Sequence, residues 1–137
     1  MIEDIIKEIN KLEYKIKSDK DFQKENPYAL LSFVELLYLY MSHKFPGKKD
    51  SFIYKKAHIN AKHFSKIRNP LYHPSRKTII ALGLALELDL IEFEALLASA
   101  NYALSLNNKF DIVIIYCVQN KIYDLYTVNE IIYELGL

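Results

Sequence analysis

The sequence predicts an all-α protein: a compact helical domain, with an N-terminal heptad helix before it and a helical extension after it. Apolar residues make up 51% of the 137 residues, enough for a sizeable core in one domain. Over most of the chain they recur every three to four positions, and helix-capping residues precede them. Residues 109–120 are rich in β-branched side chains, but no second strand is evident to pair with them, so a helix is predicted there too.

Residues 1–17 are predicted to be an amphipathic helix, because their apolar side chains follow a heptad pattern. The a and d positions over two heptads are Ile2, Ile5, Ile9, Leu12 and Ile16. This seam fits either a dimer contact or docking on the chain's own domain, and both interpretations stay open. Residues 18–26 are polar without apolar periodicity, which predicts a linker, so the helical domain is expected over 27–137.

The helical domain is predicted to start with a central helix that is apolar on nearly all sides. Asn26 is its candidate cap, Pro27 suits its first turn, and the stretch 45–47 ends it. Later boundaries are predicted from caps and stops in the same way. Asp50 or Ser51 is predicted to start a helix through Ala57, and Asn60 a helix through Arg68. Ser75 and Asp89 are predicted to start two more helices, and Asn101 to end the second of these in a left-handed conformation. Thr127 and Glu130 are predicted to form the capping box of a last helix, which Gly136 ends.

Positive charge is concentrated in residues 44–77, called the basic segment below. The whole chain carries a net charge of +1, yet this segment holds ten Lys or Arg residues and a single acid, Asp50. A local basic patch on a nearly neutral chain indicates a surface for a polyanion. That polyanion is either a nucleic acid or an acidic protein; the plain alternative is a solvated face without function.

Within the basic segment, two short helices joined by a turn have the dimensions of a helix-turn-helix, whose second helix lies in the DNA major groove. Ile59, Phe64 and Ile67 are spaced to face inward. The outward residues predicted to contact bases are Asn60, Lys62, His63 and Lys66. The flanking cations predicted to contact phosphates are Lys48, Lys49, Lys55, Lys56, Arg68, Arg76 and Lys77.

Residues 31–100 resemble the λ-repressor/Cro-type (XRE-like) helix-turn-helix domain. The spacing of Ile59, Phe64, Ser65 and Ile67 matches that family's Val-x-x-x-x-Ile-Ser-x-Ile pattern, and "TIIALGLALELDLIEFEALL" is similar to its fourth helix and the helix after it. The stretches "YKKAHI", "YHPSRKT" and the C-terminal "KFDIVIIYCVQN" resemble an uncharacterised bacterial variant of that domain. The resemblance implies that residues 60–66 are the DNA recognition helix.

The chain departs from the family pattern at two positions of the motif. Tyr54 stands where the first motif helix usually has a small residue, and His58 stands where the turn usually has glycine. We therefore expect His58 to adopt the turn conformation without the freedom of glycine.

Other classes of function find little support in the sequence. A single cysteine, Cys117, excludes a disulfide framework and sits in an apolar run, where a buried structural thiol is expected. His58 and His63 are five residues apart, which does not place two metal ligands on one helix face. Glycines are too scattered for a phosphate-binding loop, and no hydrolase motif is present. We expect no enzymatic activity, no cofactor and no metal.

The sequence thus favours a cytoplasmic, bacterial or phage transcription regulator that binds double-stranded DNA without membrane contact, and the heptad seam would allow a homodimer. The alternative is an adaptor, antitoxin or inhibitor of a mobile-element or phage-defence kind that contacts an acidic protein. The tyrosines, eleven in all, are expected mainly in the core. Those near the C-terminus also fit a partner surface or, in a weaker third interpretation, stacking on single-stranded bases or RNA.

Overall fold

The computed structural model describes residues 2–18 and 30–137, and the regular secondary structure of these residues is entirely helical. This confirms the all-α prediction. The helices in the described ranges are α1 (Ile2–Ser18), α2 (Phe33–Lys44), α3 (Asp50–Lys56), α4 (Ala61–Ile67), α5 (Arg76–Ala85), α6 (Leu90–Ser99), α7 (Lys109–Gln119) and α8 (Leu125–Glu134). Of these helices, none combines the length and the apolar character that crossing a bilayer requires.

The chain divides into two units, residues 1–31 and residues 32–137. In the first unit, α1 covers the segment predicted to be an amphipathic helix and runs one residue beyond it. Surface ion pairs lie along it, with Lys11 3.6 Å from Glu8 and Lys17 3.8 Å from Glu13. The predicted linker lies outside the described residues, apart from Ser18 at the end of α1.

The second unit opens with α2, which begins later than the sequence predicts. The Ser32 hydroxyl accepts a hydrogen bond from the Glu35 N–H at 3.2 Å, and the Glu35 carboxylate accepts one from the Ser32 N–H at 3.1 Å. This capping box satisfies N–H groups that have no partner inside the helix. Residues 30–32 are not helical. The prediction of an unbroken helix from Pro27 is therefore wrong. Asn26 and Pro27 themselves lie outside the described residues.

Most later caps were predicted correctly, and two were not. Side-chain oxygens of Asn60, Ser75 and Asp89 accept the expected backbone hydrogen bonds at 2.7, 3.2 and 2.8 Å. Lys49, not Asp50 or Ser51, is the cap residue of α3. Asp124, not Thr127, caps α8, because its carboxylate accepts hydrogen bonds from both the backbone N–H and the hydroxyl of Thr127. A carboxylate three residues earlier thus outcompetes the predicted threonine cap.

Several helices of this unit end on a residue other than glycine in the left-handed conformation. These residues are His58, Glu87, Asn101 and Lys121, with φ between 56° and 66°. After each one, the next backbone N–H bonds back to a carbonyl in the last helical turn at 2.8–3.3 Å. Asn101 was predicted in this role, and Gly136 ends α8 in the same way with φ 71°. Each such non-glycine residue costs about 1 kcal/mol in backbone strain, which the capping bonds offset.

The core of the second unit is closely packed where α5 meets α6, at Gly83. Phe93 of α6 is 1% exposed and its ring lies over Gly83. A Cβ added to Gly83 would stand 2.5 Å from one ring carbon of Phe93 and 2.7 Å from another. This position therefore needs glycine because of the close approach of the ring, not because of backbone conformation.

We expect Gly83→Ala to lower the free energy of unfolding by up to about 2 kcal/mol. Alanine gains about 1 kcal/mol in helix propensity, but overpacking a buried ring costs about 1–3 kcal/mol. Urea unfolding followed by circular dichroism measures the difference. The double variant Gly83→Ala/Phe93→Leu should recover part of the loss, and a stabilised single variant would contradict the packing seen here.

Residues 109–119 form helix α7, which confirms the helix prediction for the β-branched run. Asn108 caps it, and Val113, Ile114 and Cys117 are buried against the rest of the unit. The burial raises the pKa of the Cys117 thiol, which disfavours the reactive thiolate. Cys117 is buried, as predicted, and packs as a small apolar side chain.

Candidate nucleic-acid interface

Helices α3 and α4 are joined by a four-residue turn, residues 57–60, whose backbone is fixed by hydrogen bonds. The Ile59 N–H donates to the Tyr54 carbonyl at 2.8 Å, and the His58 N–H donates to the Lys55 carbonyl at 3.1 Å. His58 has φ 56°, so the expectation that it adopts the turn conformation without glycine is confirmed. The Tyr54 ring fits beside α4, with its centroid 5.3 Å from that of Phe64.

Helix α4 separates its side chains sharply by polarity. Phe64 and Ile67 are buried at 2% and 0% exposure. The exposed polar residues of the helix opposite them, called the α4 outer face below, are Lys62, Ser65 and Lys66. Sequence reasoning did not name Ser65 as a contact, although the helical spacing from Phe64 and Ile67 places it outward.

The other two residues predicted to contact bases lie at the margins of the α4 outer face. The Asn60 side-chain oxygen accepts the capping bond from the His63 N–H, so its NH₂ group is what remains to contact a ligand. His63 is half-buried, with its ring edge-on to Tyr72 at a centroid distance of 6.5 Å. Of the predicted set, Lys62 and Lys66 are thus the exposed cations that α4 presents directly.

Most of the predicted phosphate-contacting lysines are available for a ligand. Together with Lys62 and Lys66, the exposed cations of the basic segment that have no ion pair with any described carboxylate are Lys48, Lys49, Lys55 and Lys77. Lys48 also lies over the Phe52 ring, with its Nζ 4.9 Å from the centroid. These six lysines come from the loop before α3 and from α3, α4 and α5.

The remaining cations of the segment have carboxylate partners within the protein. Lys44 lies 2.8 Å from Glu92, which raises the pKa of Lys44. Arg68 is exposed and only loosely paired, 3.9 Å from Asp50, whose carboxylate also accepts a hydrogen bond from the Tyr38 hydroxyl at 2.9 Å. Arg68 is therefore still within reach of a phosphate.

Lys56, which the sequence predicts to contact phosphate, is paired within the protein. Its Nζ lies 2.8 Å from a Glu87 carboxylate oxygen and 4.2 Å from the centre of the Phe45 ring. Both partners come from elsewhere in the fold, so Lys56 links the end of α3 to the turn after α5. Pairing with Glu87 neutralises its charge locally.

Arg76, which the sequence also predicts to contact phosphate, is likewise paired within the protein. Its guanidinium pairs with Asp111, which is 3% exposed, and donates to the Ala103 carbonyl at 2.9 Å. The same Asp111 oxygen accepts a hydrogen bond from the Ser105 N–H at 2.8 Å. Arg76 thus holds the loop between α6 and α7 against the start of α5.

No family model, curated protein or solved structure matches this chain. Among the described residues, no group of three or more His, Cys, Asp or Glu side chains could hold a metal ion.

The apolar seam of α1 is largely exposed. Ile5, Ile9 and Leu12 are 53%, 57% and 56% exposed, while Ile16 is half-buried. The side chain of Ile2 lies outside the described residues. The exposed positions follow the a/d pattern, so α1 presents a continuous apolar stripe.

The tyrosines near the C-terminus are not in the core, which corrects the expectation for most of them. Tyr116, Tyr126 and Tyr133 are 56%, 74% and 79% exposed. Tyr126 and Tyr133 are seven residues apart on α8 and so share one face. Tyr40 is buried as expected, and Tyr123 is half-buried with its hydroxyl donating to the Leu88 carbonyl at 3.1 Å.

Proposed function

We propose that the chain is a non-enzymatic, sequence-specific DNA-binding protein that regulates transcription, with α3 and α4 acting as a helix-turn-helix. One observation carries the proposal: α4 buries Phe64 and Ile67 while the opposite face exposes two unpaired cations, Lys62 and Lys66. The resemblance to the λ-repressor/Cro-type domain supports the same assignment of α4 as the recognition helix.

In this proposal, α4 supplies the base contacts and other segments supply the phosphate contacts. Lys62 and Lys66 are placed to contact guanine edges, and the NH₂ group of Asn60 can donate to a base acceptor. Ser65 adds a hydroxyl group to the same face. Lysines on three other segments contact phosphates and so contribute affinity without sequence preference: Lys48, Lys49, Lys55 and Lys77.

A homodimer would extend this short interface. The seven residues of α4 span about 10 Å of helix, which covers about three base pairs. Pairing two copies through the exposed stripe of α1 would add a second half-site, as in other dimeric helix-turn-helix proteins. Light scattering tests this step, and a monomeric mass for the chain would contradict it.

Salt dependence is the experiment that tests DNA binding itself. Binding to random duplex DNA is expected to weaken steeply with salt, with a slope of about −5 in log K against log salt if the six unpaired lysines meet phosphates. Fluorescence anisotropy with a labelled duplex measures this slope. A mobility-shift screen against genomic fragments of the source organism then identifies a specific site. Absence of binding at low salt would contradict the proposal.

The second candidate function is a protein-binding module: an adaptor, antitoxin or inhibitor. The exposed tyrosines at positions 116, 126 and 133 favour it, since tyrosine is enriched at protein interfaces. In that case the unpaired lysines contact an acidic protein rather than phosphates. Duplex DNA would then fail to bind at low salt, while a stable complex with a protein partner would form.

A further inference from the structure

A cleft of about 700 Å³ opens in the second unit between α4 and α5 on one side and α7 and α8 on the other. Its size is that of a small-molecule site. Buried apolar side chains from α5, α7 and α8 form its floor, among them Ile80, Leu84, Ile114 and Val128. Such a floor fits the apolar body of a ligand.

The side chains at the rim of the cleft are polar, and they include positive but no acidic ones. Every residue that lines it is described, and none is Asp or Glu. Lys77 is exposed and has no ion pair with a described carboxylate side chain. Arg76 also lines the cleft, but Asp111 neutralises it. Lys77 is thus the permanently charged side chain at the rim that has no described acidic side chain as a partner.

Neutral hydrogen-bonding groups accompany Lys77 around the same opening. His63 reaches the rim from α4, Thr78 from α5 and Asn129 from α8. The imidazole and the amide can donate to a carboxylate oxygen, as can the threonine hydroxyl. The rim therefore complements one anionic head group, and the floor complements an apolar tail.

From this charge complementarity, we propose that the cleft binds a small amphipathic carboxylate. The carboxylate lies at Lys77 Nζ, and the apolar body lies on the floor between α5 and α8. The site does not depend on the proposed DNA binding, and its test involves no DNA. If the true occupant of the cleft were a peptide or a second protein, the small carboxylate would not bind.

Decanoate is the probe, with decanol and decylamine as matched neutral and cationic chains, each below its micelle concentration. Displacement of anilinonaphthalene sulfonate fluorescence and isothermal titration calorimetry on the full chain measure binding. We expect decanoate to bind at one site and about tenfold or more tighter than either control. Equal affinity of the three chains, or no binding of decanoate, would overturn the proposal.

Three variants test whether decanoate binds in the cleft. Lys77→Glu should weaken decanoate about tenfold or more while leaving decanol unchanged, because only the head-group contact is reversed. Ala81→Phe, on the cleft wall, should abolish binding of both chains. Lys109→Glu, an exposed lysine that does not line the cleft, is the matched control. Circular dichroism melts verify that each variant is folded. Decanoate binding unaffected by Lys77→Glu would overturn the assignment.

Discussion

Replacing Arg76 by alanine is expected to lower the free energy of unfolding by about 3 kcal/mol. The change leaves the Asp111 carboxylate, 3% exposed, without its cation. It also removes the donor to the Ala103 carbonyl, so the loop between α6 and α7 loses its attachment to α5. The other Asp111 oxygen is buried and has no hydrogen-bond partner, so the neutral Ser105 N–H would be the described donor left to this carboxylate. Urea unfolding followed by circular dichroism measures the loss.

The neighbouring residue provides the control for this prediction. Lys77→Ala removes the same sign of charge one position later, but Lys77 is exposed and has no described ion pair. Its free energy of unfolding should change by less than about 0.5 kcal/mol. The double variant Arg76→Met/Asp111→Leu should recover much of the stability, because neither charge is then left unpaired. Equal effects of Arg76→Ala and Lys77→Ala would show that the ion pair contributes no stability.

Local signals explain which parts of the fold could be predicted from sequence. A cap residue acts on an N–H group two or three positions away, so Asn60, Ser75 and Asp89 could be identified without knowledge of the fold. The cap preference does not decide between two candidate cap residues that lie close together in sequence, as Asp124 and Thr127 do. The left-handed conformation of His58 could be predicted because the domain that the sequence resembles usually has glycine at this position of the turn.

Distant partners explain what could not be predicted at the candidate interface. Lys56 and Arg76 look like any other lysine or arginine of the basic segment. Their partners, Glu87 and Asp111, lie 31 and 35 residues further along the chain. From the composition alone, Lys56 and Arg76 are therefore taken as free charges. The packing of the turn after α5 and of α7 shows that acidic side chains neutralise both.

The ion pairs of Lys56 and Arg76 determine which variants are informative for DNA binding. Lys56→Ala would disturb its contacts with Glu87 and Phe45, so a loss of affinity would not separate folding from phosphate contact. Lys55 is the better choice, since it is exposed and has no described ion pair. Lys55→Ala should weaken binding to all duplexes alike, whereas Lys62→Ala should reduce discrimination between sequences.

Reversing both cations of the α4 outer face is expected to weaken duplex DNA binding about 100-fold at moderate salt. Each lysine that meets a base or phosphate contributes on the order of 1–3 kcal/mol, and Lys62→Glu/Lys66→Glu adds repulsion to the loss of contact. The slope of log K against log salt should become shallower by about 2. Anisotropy titrations over a salt series measure both quantities. The unfolding curve should stay close to that of the parent chain, because both side chains are exposed and have no described ion pair.

A second charge-reversed pair distinguishes a local contact from a change in net charge. Lys7→Glu/Lys109→Glu alters the net charge equally, and both lysines are exposed and lie outside the basic segment. If α4 enters the major groove, this control should lose much less affinity and keep the parent salt slope. Equal losses for the two double variants would mean that the chain attracts DNA through its overall charge, and α4 would then have no special role in recognition.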